Sequence, residues 1–375
     1  MKNILLLPIF RFGIKQNSIT LRIIEIYSRI NRIRFNFILN LDDESYKDID
    51  PYYATKIRNM DKSFGYSGKN IIKLFSGIIK TFKTARRTDY LICESEYFYS
   101  VLYSYIIHIM SKKSLIIVIN HVDDDMFKHT NMLHYLIFRH IFRKTNKFLI
   151  SDDNNIIKAF SDNFKIKNEN LFRINDGGIE VKSFYKKNDK VYDIIFIGNI
   201  EERKNAFMLP DIVEKLKNYN TNIKLLIISH AGEIDQLRHI ITLKNLDNNI
   251  DFIGYISEAQ KMEYLAESKI MIFPSKYEGF GTVIAEGLAS YLPVIIFDVP
   301  TLKIFDKGVV KVEPFNIHEY VKKIIYLLEN ESIRILLGVE GRHDVEQRFD
   351  YDYVSKLENE SITKAITLID SKDYN

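Results

Sequence analysis

The stretch FPSKYEGFGTVIAEG, residues 273–287, places two glutamates, Glu278 and Glu286, eight positions apart around Gly279-Phe280-Gly281. An apolar run, KIMIFPS (269–275), leads into it, and a second, PVIIFDV (293–299), follows it. A buried strand, a glycine turn, a helix-length segment and another buried strand together read as a β–α–β unit of a parallel sheet. Sheets of this kind bind ligands outside the carboxyl ends of their strands, and Glu278 stands at such an end. Gly279 and Gly281 let backbone N–H groups approach a ligand closely. The positive end of the following helix faces the same spot. With Thr282 as the helix cap, Glu286 sits about one turn in. Its neighbours three and four positions away are Thr282, Val283, Ala289 and Ser290, so no intrahelical ion pair is available. A carboxylate among Ile284, Ala285 and Leu288 needs a partner from elsewhere. Two adjacent hydroxyls would serve, although a solvated helix glutamate fits the same pattern. Gly287 inside the helix costs roughly 1 kcal/mol against alanine, which points to close packing.

The same alternation extends in both directions. NILLLPI (3–9), RFNFILNL (34–41), YLIC (90–93), SLIIVINH (114–121) and KFLIS (147–151) read as strands separated by helical segments. FRINDGGIEVKSF (172–184) reads as a linker. A second set follows: YDIIFIG (192–198), NIKLLIIS (222–229), IDFIG (250–254), KIMIFPS, PVIIFDV and GVVKVE (308–313). The pattern predicts two Rossmann-like α/β domains, 1–178 and 179–350, facing across a cleft. The helical tail 351–371 is expected to pack back on the first.

Composition is that of a globular chain of 375 residues, 46% hydrophobic and 27% charged. The single cysteine, Cys93, excludes an internal disulfide and suits a reducing compartment, where it reads as a small buried hydrophobe. The start, MKNILLLPIF, is too short in its apolar core for a signal peptide. YFYSVLYSYIIHIM (97–110) falls short of the ~20 apolar residues of a spanning helix and reads as a buried one. The net charge of +4 divides unevenly, with +9 in residues 1–120 and −5 in the rest. A basic first half suits an anionic ligand or surface. YSGKNIIKLFSGIIKTFKTARR (66–87) interleaves apolar residues with Lys69, Lys73, Lys80, Lys83, Arg86 and Arg87, as a helix lying on an anionic membrane would. An ordinary helix with one face in the core has the same pattern. No nucleic-acid motif is present.

FIGNIEERKN (196–205) supplies a strand, a glycine turn and the pair Arg203-Lys204 at the mouth of a helix, suited to a pyrophosphate and equally to a solvated surface. With this piece, FPSKYEGFGTVIAEGLASYLPVI resembles the E-x7-E signature of family 4 retaining glycosyltransferases, which have the GT-B fold. NDGGIEVKSF, FIGYIS and VINHVDDD resemble further motifs of that family, in its order. The likeness is close over about 170–300 and loose over 1–170.

The resemblance implies the following roles. Glu286 holds the ribose hydroxyls of a nucleotide-sugar donor. Glu278 touches hydroxyls of the donor sugar, near the backbone of Gly279, Phe280 and Gly281 and near Thr282. Lys204 binds the diphosphate, and His121 lies by the donor sugar from the opposite domain. The fold class generally works without a metal, so Asp123 to Asp125 read as loop acids and no cofactor is expected. Two departures stand out. The family's phosphate loop usually begins Gly-Arg, whereas Gly198-Asn199 stands here, leaving Arg203 to supply the missing contact. The family's Gly-Gly loop after the first strand is here FRFGIKQN (10–17), with only Gly13. The expected activity is retaining transfer of a sugar from a nucleotide-diphosphate sugar to a hydroxyl of a glycan or lipid-linked acceptor. The expected setting is the cytoplasm, with possible peripheral contact to the membrane. The alternatives are a non-catalytic paralogue that scaffolds a partner, or another GT-B enzyme such as a nucleotide-sugar epimerase.

Overall fold

The structure, a computed structural model, describes residues 2–7, 18–30, 33–37, 78–79, 81–96, 98–120, 132–145, 147–175 and 177–372. Gly13, His121, Asp123 to Asp125, Lys69, Lys73 and Lys80 lie outside the described residues. The chain divides into two compact units, one of 1–176 with 351–375 and one of 177–350.

The first unit carries a parallel sheet of β1 (Lys2–Leu7), β2 (Ile33–Phe37), β3 (Tyr90–Cys93), β4 (Ser114–Ile119), β5 (Phe148–Ser151) and β6 (Leu171–Ile174), in the order β2-β1-β3-β4-β5-β6. Strand side chains alternate between the two faces, and both faces are apolar. Ile4 and Leu6 join one core with Ile92, Ile116 and Leu149, while Leu5 and Leu7 join the other with Leu91, Cys93 and Ile117. That is why these strands read as continuous hydrophobic runs. The first face is covered by α1 (Ser18–Ser28) and a C-terminal helix, Tyr351–Lys372, through Ile362, Ala365, Ile366 and Ile369. The second is covered by α2 (Phe98–Ser111), α3 (Met132–Thr145) and α4 (Asn154–Phe164). Cys93 is fully buried, and burial pushes its thiol up to about 12. The segment expected to be a linker, 172–184, begins inside β6, which pairs with β5. Its alternating Leu171, Phe172 and Ile174 are too short a run to separate a strand from a loop without that neighbour.

The second unit carries β7 (Tyr192–Ile197), α5 (Leu209–Lys217), β8 (Leu225–Ile228), α6 (Ile234–Leu243), β9 (Ile250–Ile253), α7 (Glu258–Ala266), β10 (Ser268–Phe273), α8 (Thr282–Ala289), β11 (Val294–Phe297), β12 (Val309–Val312), α9 (Ile317–Glu329) and α10 (Glu331–Arg348). Its six strands are parallel, in the order β12-β11-β10-β7-β8-β9. The C-terminal helix is thus α11. Numbered within the unit, this is the Rossmann order 3-2-1-4-5-6 read from its far edge. The order reverses between β7 and β10, the first and fourth strands. The α8 helix lies tightly on the sheet. A Cβ on Gly287 would come within 2.4 Å of Met271 Sδ and 3.3 Å of Val294 Cγ2, so this glycine admits the close approach its position suggested.

Candidate functional site

The carboxyl ends of β7 and β10 lie side by side at the point where the strand order reverses. After β7 the chain makes a 3-10 turn, Glu202–Lys204, closed by Asn205 in the left-handed region at φ 53°. Arg203 and Lys204 sit on this turn, and α5 begins only at Leu209, so the pair does not open a helix as the sequence suggested. Lys276 N donates to the Arg203 carbonyl at 2.9 Å and ties the turn to the loop after β10.

Glu278 is the centre of this arrangement and is 8% exposed. Lys204 Nζ donates to its Oε1 at 2.6 Å, Ser275 Oγ donates to the same oxygen at 2.6 Å, and Arg203 Nη1 lies 3.0 Å from Oε2. Arg203 also reaches Glu201 Oε1 at 2.9 Å and the Tyr277 carbonyl at 3.1 Å. A carboxylate offers about four acceptor positions, so these three contacts leave one for a hydroxyl. Burial lowers the Lys204 pKa, and the Glu278 charge opposes that shift. Two cations at one strand end suit a diphosphate, and the carboxylate between them suits a sugar hydroxyl.

Glu286 is buried in α8, and its partner does come from elsewhere. Lys261 Nζ of α7 donates to Oε1 at 2.8 Å, and also reaches Glu258 Oε2 at 2.7 Å. Among the described residues, Oε2 of Glu286 is buried with no hydrogen-bond partner. Burial raises the Glu286 pKa, and Lys261 pulls it back down. A buried orphan oxygen is costly, and two adjacent hydroxyls are a chemically apt occupant. The sequence missed Lys261 because it lies 25 positions away on another helix. Ser275 was missed as well, though its place three residues before Glu278 is a usable signal.

Thr282 is the first residue of α8 rather than its cap. The cap position belongs to Gly281 at φ 89°, a conformation that disfavours any side chain. The Phe280 ring packs on Phe305 and Phe349, so only its backbone is free to face a ligand. Gly279 is exposed. Asn199, half-buried, lies in the loop that Gly232 braces. Ile200 N donates to the Ala231 carbonyl at 2.9 Å, and Glu233 N donates to the Ile200 carbonyl at 2.7 Å. Beyond the ends of β8 and β9, the exposed rings of His230 and Tyr255 meet edge to face at 6.1 Å. Tyr255 lies three residues before α7, the helix that carries Lys261. The structure thus brings together Glu278, Lys204 and Arg203.

Residues 179–344 match the family described as Glycosyl transferases group 1. Among curated proteins, the chain is 24% identical over 225 residues to the poly(ribitol-phosphate) alpha-N-acetylglucosaminyltransferase of Staphylococcus aureus, covering 57% of this chain and 45% of that protein. It is 27% identical over 185 residues to the capsular polysaccharide biosynthesis glycosyltransferase CapM of Staphylococcus aureus, covering 48% of this chain and 47% of that protein. The chain spans about half the length of these relatives. Anabaena Alr3699/HepE, crystallised with UDP, superposes with a TM-score of 0.78 at 14% identity over 97% of this chain and 100% of the other. The structure of TarM superposes with a TM-score of 0.70 at 15% identity over 95% and 97%. These structural likenesses are likenesses of fold. Taken together, the chain has the GT-B fold, and its second unit is similar to glycosyl transferases of group 1.

Proposed function

We propose that the chain is a retaining glycosyltransferase that moves a sugar from a nucleotide-diphosphate sugar to a hydroxyl of a glycan or lipid-linked acceptor. The observation that carries this reading is Glu278 held between Lys204 and Arg203 at the strand-order reversal of the second unit. In the proposed reaction the bond from the anomeric carbon to the diphosphate oxygen breaks. The acceptor oxygen forms its bond on the same face, and its proton passes to the leaving phosphate. Lys204, Arg203 and the N-terminus of α8 stabilise the charge that grows on the leaving group. Glu278 accepts a donor-sugar hydroxyl at its open position, and Glu286 accepts from the ribose at Oε2. The parts of His121 and Gly13, outside the described residues, rest on the resemblance alone, and no metal or other cofactor is assigned. In this proposal the second unit binds the donor, the first serves the acceptor, and both work in the cytoplasm.

The test is thermal stabilisation by a panel of nucleotide diphosphates and nucleotide sugars, uridine nucleotides included because HepE was crystallised with UDP and UDP-glucose. A ligand at 100-fold excess over its Kd stabilises by about 2.7 kcal/mol. The expected result is a shift with one nucleotide that shrinks in Glu286→Ala. No shift with any nucleotide would sink the donor assignment and favour the non-catalytic reading that Asn199 invites.

A further inference from the structure

Within the loop Gly279-Phe280-Gly281, only Phe280 has a side chain with which to anchor the backbone. Gly279 is exposed, and Gly281 stands in the left-handed region at φ 89°. Phe280 is 9% exposed and turns its ring inward. The ring meets Phe349 edge to face with centroids 5.0 Å apart, and lies 5.5 Å from Phe305. Those two rings are 5.6 Å from each other, and both residues are almost fully buried. Gly177 is a further neighbour, itself buried. A Cβ on Gly177 would lie 2.1 Å from Phe280 Cζ, 2.3 Å from Cε2 and 2.7 Å from Cε1. The tip of the ring thus fills the place where any other residue would carry its first side-chain carbon.

Gly177 and Phe349 also share a place in the chain. The chain passes from one unit to the other at 176/177 and returns at 350/351, so each residue adjoins a passage. The two passages are tied together. Ile179 N donates to the Phe349 carbonyl at 2.9 Å, and Ile179 forms a parallel bridge with Asp350. The loop side is held as well, since Glu278 N donates to Thr301 Oγ1 at 3.3 Å. Close-packed interiors transmit strain rather than absorb it. A ring enclosed by Phe305, Phe349 and Gly177 has no free space to swing into, so a push on its tip passes to its own backbone. We infer that Gly177 and Phe349 are positioning residues for the loop 278–282, acting on it through the Phe280 ring. The consequence for donor binding rests on the reading of that loop under the proposed function. The stretch NDGGIEVKSF is then a support of the loop as well as a connector.

The experiment compares the wild type with Gly177→Ala, Phe280→Leu and the double variant, all in the full chain. Two quantities are read: hydrogen exchange of the amides at 278–282, and UDP affinity by calorimetric titration. An alanine Cβ at 177 collides with the outer ring atoms, which leucine lacks. Gly177→Ala is expected to speed exchange in the loop, leave exchange in β10 unchanged and weaken UDP binding. Phe280→Leu, whose shorter side chain leaves the loop unanchored, is expected to do the same. In the double variant the collision is gone, so loop protection and UDP affinity should recover relative to Gly177→Ala. Residues in contact couple by about twofold to a hundredfold, and a coupling of at least about twofold is expected here. A contact that serves only the fold would lower the melting temperature of the single variants and leave loop exchange and affinity as in the wild type. That result overturns the inference, and so do additive effects in the double variant. If Gly177→Ala does not fold, Phe280→Leu decides, and wild-type exchange at 278–282 in that variant overturns the inference. A wild type without affinity for UDP counts against the donor reading, while the exchange measurement still decides the positioning.

Discussion

Lys204 Nζ stands 2.6 Å from Glu278 Oε1 across 74 residues of sequence, each side chain delivered by the end of a different strand. Lys204 is 12% exposed and Glu278 8%, and Arg203 is the second cation on Glu278. Removing Lys204 leaves Glu278 with Arg203 alone and takes one cation from the strand end. Lys204→Ala is accordingly expected to lower turnover at least tenfold. Glycosyl transfer assayed with the nucleotide sugar that stabilises the protein checks it, and unaltered turnover would remove Lys204 from the leaving-group role.

The same pair sets a pH dependence. Burial favours the neutral amine of Lys204, and the Glu278 charge favours the ammonium. Activity that needs the ammonium therefore falls on the alkaline side at a lower pH than an ordinary lysine would impose. Glu278→Gln leaves burial unopposed, so the alkaline limb should move to still lower pH. A limb that stays in place or moves up would show that another group titrates there.

Lys261 positions Glu286 and favours its ionised form. Burial raises the Glu286 pKa, and a protonated carboxyl is a weaker acceptor of hydroxyl hydrogen bonds than a carboxylate. Nucleotide binding should therefore weaken as the pH falls, starting above the usual carboxylate range. Lys261→Met removes the counter-charge, so the midpoint of that loss should move up in pH. Calorimetric nucleotide titration across pH provides the check, and identical pH profiles for the two proteins would end the argument.

Gly232 has φ 95°, and a Cβ there would lie 2.0 Å from the Ile200 carbonyl oxygen. That carbonyl belongs to the loop following β7. Gly232→Ala is expected to destabilise by at least about 1–3 kcal/mol from backbone strain alone. It should also weaken nucleotide binding, because the loop must shift. Denaturant melts and nucleotide titration measure the two effects, and wild-type values in both would contradict the close approach.

Tyr255 is 81% exposed beside His230 and adjoins the helix that holds Lys261. If the ribose lies at Glu286, this ring is placed to stack on the base. Stacking of a base on an aromatic ring contributes about 1–3 kcal/mol, so Tyr255→Ala should weaken nucleotide binding about tenfold or more. Nucleotide affinity equal to that of the wild type in Tyr255→Ala would contradict it.

Strand and helix positions were legible because a sheet buried on both faces must be built from short apolar runs. YLIC and KIMIFPS could scarcely be anything else. Glu278 and Lys204 were legible as charged residues beside glycine turns at strand ends, and Glu286 as a carboxylate with no partner on its own helix. The strand β6 was not legible, since Leu171–Ile174 becomes a strand only by pairing with β5. The cap of α8 was assigned to Thr282 on side-chain preference, but the turn after Gly279 requires a left-handed residue, and Gly281 takes the position.

The sequence by itself determined the two α/β units and the residue types at the ends of β7 and β10, because periodicity and turn chemistry are local. The tertiary structure decided which charges meet. The clamp of Lys204 and Arg203 on Glu278 and the pairing of Lys261 with Glu286 each join groups distant in sequence. Partners of that kind are chosen by strand order and helix packing, and burial then makes their charges count.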